Sequence, residues 1–139
     1  MRRDALPILL RLRRMEMDHA RADLLAAEAR VGETRQAAQA ARLAILREML
    51  AASAMEADDS AVQAFANWLS VGRATQTRAE AELRRAEEDS IRARTCFNLA
   101  RTAAESVGKL IDQRNAAEQR VDRVTEQMTM DEVASRRSG

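Results

Sequence analysis

The sequence predicts an all-α fold: two long helices in an antiparallel coiled-coil hairpin, the second longer than the first and overhanging it. Three observations predict this. One Pro and four Gly in 139 residues leave almost nothing to punctuate strands and turns, and Pro7 falls where a helix tolerates it, in its first turn. Charged residues make up 32% of the chain and apolar residues 46%, carried mostly by Ala, the strongest helix former, while two Phe, one Trp and no Tyr cannot fill a globular core. Apolar residues alternately three and four apart then recur through both halves, the spacing of a helix that meets a partner helix along one seam.

A single domain over 1–139 follows, with helix one at about 5–52, a turn at about 53–60, helix two at about 60–134 and a disordered tail at 135–139. In helix one the stepping runs Ile8, Leu12, Met15, His19, Ala22, Ala26, Ala29, Glu33, Gln36, Ala40, Leu43, Arg47 and Leu50. Its Ala-rich middle should let two backbones approach closely while burying little area per residue. In the turn, Asp58, Asp59 and Ser60 are N-cap candidates, and Ser60 with Gln63 has the S-x-x-Q spacing of a capping box. A competing turn at Ser70–Gly72 would cut a seam that otherwise keeps its phase.

That second seam is the clearest signal: Val62, Phe65, Leu69, Gly72, Gln76, Ala79, Leu83, Ala86, Ser90, Ala93, Phe97, Ala100, Ala104, Val107, Ile111, Arg114, Glu118, Val121, Thr125 and Met128. Arms of unequal length set residue 5 opposite roughly residue 110. Ile111, Val121, Val124, Met128 and Met130 should then lack an intrachain partner and form an exposed apolar stripe of the kind that marks an interaction surface.

The net charge of +1 provides no overall field toward nucleic acid or an anionic membrane. Acidic residues accompany the Arg nearly everywhere, as around Arg84 and Arg85, and no aromatic residues interleave to stack bases. Locally the balance differs: from Glu48 to Gly72 the charges are Glu48, Glu56, Asp58 and Asp59, whereas the start carries Arg2, Arg3, Arg11, Arg13 and Arg14.

Cys96 is alone, which excludes an internal disulfide and fits a reducing compartment. The Leu6–Leu12 stretch is too short and too interrupted for a membrane span, so a cytoplasmic protein is expected. No phosphate-cradling Gly-rich loop, H-E-x-x-H, C-x-x-C or nucleophile elbow occurs, so no catalytic, cofactor or metal residue is named. His19 falls on the first seam as a packed neutral imidazole rather than a base. Adjacent acids such as Glu87 and Glu88 point apart on a helix and read as solvated. The composition therefore reads as a non-catalytic, protein-binding hairpin, without nucleic acid and without direct membrane insertion.

Three anchors carry a resemblance to a known family. Leu9–Glu16 reads L-L-R-L-R-R-M-E and opens a long charged helix; Phe65, Leu69, Gly72 and Gln76 reproduce an F-x3-L-x2-A-x3-H face; Gln127–Ala134 ends in M-D-E-V-A. In order, spacing and total length the chain resembles the FliJ family, the stalk proteins of the flagellar type III export ATPase, to which injectisome stalk proteins are related. Gly72 stands where the family has Ala, and Gln76 where it has His.

The resemblance implies a stalk that inserts into a hexameric export ATPase ring, promotes ring assembly and protein export, links the ring to the cytoplasmic domain of the export gate, and handles export chaperones, at the periphery of the membrane export apparatus. It implies gate binding by Phe65, Leu69, Gly72 and Gln76. Ring binding is expected from Arg11, Arg13, Arg14, Arg114, Arg120, Val121, Arg123, Val124 and Met128. The alternatives are a general export-chaperone escort or client-holding hairpin, or an injectisome stalk.

Overall fold

The computed structural model of the chain describes residues 5–54 and 58–138. Two helices account for all of them except Asp58: α1, Ala5–Ala54, and α2, Asp59–Ser138. The fold is the expected antiparallel hairpin with the longer second helix. Both helices extend further than their sequence bounds, and the tail expected to be disordered is helical as far as Ser138. That tail offers Arg136 to Glu132 at 2.9 Å one turn back, a pairing that favours helix. Gly139, Arg2, Arg3 and, within the expected turn, Met55, Glu56 and Ala57 lie outside the described residues.

The start of α2 is set by Asp58. Its carboxylate accepts the Ala61 backbone N–H at 2.7 Å, and its carbonyl accepts the Val62 N–H at 3.1 Å. This corrects the expected Ser60–Gln63 box: Ser60 already lies inside α2, and the Gln63 amide donates to Asn67 at 3.1 Å. A charged carboxylate at the N-cap satisfies a free donor and also complements the positive end of the helix dipole.

Two compact units divide the hairpin, one comprising residues 19–97 and the other residues 1–18 with 98–139. In the first unit Glu28, Arg35 and Arg42 rise by sevens along α1, while their partners Arg94, Glu87 and Glu80 fall by sevens along α2. Such pairing makes the helices antiparallel with a heptad period. Arg35–Glu87 spans 3.8 Å and Arg42–Glu80 3.3 Å. These pairs are exposed and contribute about 0–1 kcal/mol each. Their stronger effect is on register, because a slip of one heptad in either direction sets Glu28 against Glu87 or Arg35 against Arg94.

Between the ion pairs, α2 turns inward the seam read from its sequence, from Phe65 and Leu69 through Ala86 to Phe97. The α1 seam is a correction. The inward residues are Ala20, Leu24, Ala27, Val31, Thr34, Ala38, Ala41 and Ile45, and the expected set is displaced from them by two positions. Two residues are about 200° around a helix, so the expected face points outward. Leu12, Leu43 and Leu50 are accordingly exposed, as is His19, which is not packed between helices. Ala stands on both faces of α1 and fits either phase, and the exposed Leu residues pull the pattern toward the wrong one.

Most of the buried residues are small. Ala38 is 1% exposed and Ala86 3%, with Leu24, Ala41 and Thr34 beside them in this unit. Thr34 satisfies its hydroxyl within its own helix by donating to the Arg30 carbonyl at 2.8 Å. Arg21 covers the end of the same seam, its guanidinium 5.5 Å from the centroid of the Phe97 ring. In the other unit Ala104 and Val107 are buried, with Leu6, Leu10 and Met17 of α1 and Ile111 of α2 half-buried.

Candidate interaction surfaces

Two surfaces stand out, one in each unit. In the unit that holds the ends of the described chain, the last half-buried residue of α2 is Ala116, and every residue from Ala117 to Ser138 is exposed. Ile111 is therefore inside the hairpin, contrary to expectation: with Leu10, Arg11 and Arg14 it lines a shallow groove against α1. The expected overhang starts about a turn and a half later and spans roughly 30 Å at ~1.5 Å per residue. Val121, Val124, Met128 and Met130 are each about three-fifths to two-thirds exposed on it. Val121 and Met128 continue the phase of the seam, whereas Met130 lies on another face.

The residues expected to meet a ring divide into two groups. Arg11, Arg14, Arg120, Arg123, Val121, Val124 and Met128 are exposed. Arg13 and Arg114 are half-buried: Arg13 pairs with Glu16 at 3.0 Å, and the Nε of Arg114 is out of solvent. These two take part in the hairpin's own packing. On α1, Ile8, Leu12 and Met15 add exposed apolar area.

The second surface lies at the turn. Phe65, Leu69, Gly72 and Gln76 are all half-buried along the inner face of α2, in phase with Ala79 and Ala86, so they are not one open face. Gln76 donates its amide to Glu80 at 3.2 Å, and the same carboxylate oxygen accepts from Arg42 Nε at 3.3 Å, which ties Gln76 into the interhelical network. Gly72 lies under the Trp68 ring: a Cβ there would meet ring carbons at 3.0 and 3.1 Å. Only Phe65 of the four opens onto a groove. That groove, about 330 Å³, runs between Glu48, Ala51 and Ala52 at the end of α1 and Val62, Phe65 and Trp68 at the start of α2.

Sequence reasoning did not find the groove. It exists because two aromatic rings of α2 face alanines of α1, and that pairing depends on the α1 phase that Ala conceals. The available signal was Trp68 one turn before Gly72, a bulky ring beside a missing side chain.

Among the described residues no three His, Cys, Asp or Glu gather to hold a metal ion, and no helix is long and apolar enough to cross a membrane. Cys96 is exposed. No family model, no curated protein and no solved structure matches the chain.

Proposed function

We propose that the chain is a non-catalytic stalk subunit of a flagellar or related type III protein-export ATPase. It contributes contacts, and the partner carries the nucleotide chemistry. The observation that carries this reading is the α2 segment Ala117–Ser138, helical and exposed at every residue, with Val121, Val124 and Met128 beside Arg120 and Arg123. An apolar-striped helix left uncovered by the other described residues is the form that a helix-in-groove or helix-in-ring contact uses. The three sequence anchors of the FliJ resemblance supply the partner: a hexameric export ATPase, with the export gate's cytoplasmic domain engaged near Phe65 and export chaperones handled alongside.

The test is binding to such an ATPase and stimulation of its hydrolysis. A chain ending at Ala116, and a full-length Val121→Asp, Met128→Asp variant, should both fail to co-elute with the ring and fail to stimulate it. Single changes at Arg120 or Arg123 should have little effect, about 0–1 kcal/mol each. Intact binding and stimulation by the shortened chain would sink the assignment.

A further inference from the structure

We propose that the groove at the turn receives an amphipathic helix of a partner protein, with apolar side chains entering the groove and Lys or Arg at its margins. Two properties of the groove lead there. Its described walls are apolar, Ala51 and Ala52 facing Val62, Phe65 and Trp68, and Glu48 is the one charged residue among the described residues lining it. A small-molecule site would need several converging polar groups to orient its ligand, and these walls do not provide them. About 330 Å³ opening to the surface instead suits a few apolar side chains presented from one face of a helix.

The surroundings select the sign of the partner. Among the described residues from Glu48 through Gly72 every charged one is acidic: Glu48, Asp58 and Asp59. Arg47 and Arg73 bracket this stretch, and neither lines the groove. A second copy presenting its own turn would bring like charge to like charge. The exposed segment Ala117–Ser138 is no better matched, since it carries Glu118, Asp122, Glu126, Asp131 and Glu132 against Arg120, Arg123, Arg136 and Arg137. A cationic margin meets these acids favourably, and an acidic one is repelled. The proposal concerns the chemistry of whatever docks near Phe65, and its test uses no export component, so its outcome is separate from that of the stalk reading.

Trp68 is the sole Trp of the chain and lines the groove, so its emission reports occupancy. The full-length protein is titrated with two synthetic helical peptides that share a leucine face, one with lysines and one with glutamates at its margins. The lysine peptide should shift Trp68 emission saturably, bind at least about tenfold more tightly than the glutamate peptide, and weaken as salt rises. Ala51→Leu with Ala52→Leu fills the groove and keeps every acid; with helicity confirmed by circular dichroism, it should abolish the response. Glu48→Lys with Asp59→Lys should reverse the peptide preference. Equal affinity for both peptides, a preference for the glutamate peptide, or undiminished binding to the filled variant would each overturn the proposal.

Discussion

Gly72 and Trp68 are one helical turn apart, and the missing side chain at one makes room for the ring of the other. The remaining helical glycines have no such reason: a Cβ at Gly32 would have nothing within 4 Å. Gly32→Ala should therefore stabilise the protein by about 0.5–1 kcal/mol, through the backbone entropy that glycine loses on entering a helix. Gly72→Ala gains the same propensity but must displace a half-buried ring by a few tenths of an ångström. Its stability should change by less, and Trp68 emission should shift. Thermal melts and fluorescence spectra of the two variants provide the check; an equal gain in both, with an unchanged spectrum, would mean that the ring does not rest on Gly72.

The start of α2 and the register of the two helices rest on a few polar residues. Asp58 begins α2 by capping Ala61, so Asp58→Ala should cost about 1 kcal/mol, whereas Ser60→Ala, inside the helix, should be close to neutral. Urea unfolding of both variants distinguishes them, and a larger loss at Ser60 would restore the capping box in place of the Asp58 cap. The register of α1 against α2 is favoured by Glu28, Arg35 and Arg42 meeting Arg94, Glu87 and Glu80 at heptad intervals. The inward face of α1 buries small residues such as Ala38 and Ala41 beside Leu24, while other Leu residues of the helix stay outside. Leu25, Leu46 and Leu50 remain exposed because a two-helix hairpin covers one stripe of each helix and no more.

At the scale of the molecule, α2 extends past the part that α1 covers. Removing Ala117–Ser138 takes away only exposed residues, so the shortened hairpin should unfold within about 0.5 kcal/mol of the full chain. A chain ending at Ser106 loses the buried Val107 and the half-buried Ile111 as well, and its unfolding midpoint should fall clearly. Denaturation curves of the two truncations check this. If the first cut destabilises as much as the second, the segment after Ala116 belongs to the hairpin core.

The sequence by itself determined the fold class, the order and unequal length of the helices, and the inward face of α2. Those rest on local propensity and on Leu, Phe and Val recurring in one phase from Phe65 to Ile111. Three things were decided only in the tertiary structure. The inward face of α1 was one, because Ala suits both sides of a helix until a second backbone approaches closely enough to prefer it. The cap was another, because Asp58, Asp59 and Ser60 compete within one turn and only the path of the chain selects among carboxylate and hydroxyl. The last was the groove at the turn. It arises where short side chains of α1 meet Phe65 and Trp68 of α2, and no pattern within one helix records what the other places opposite it.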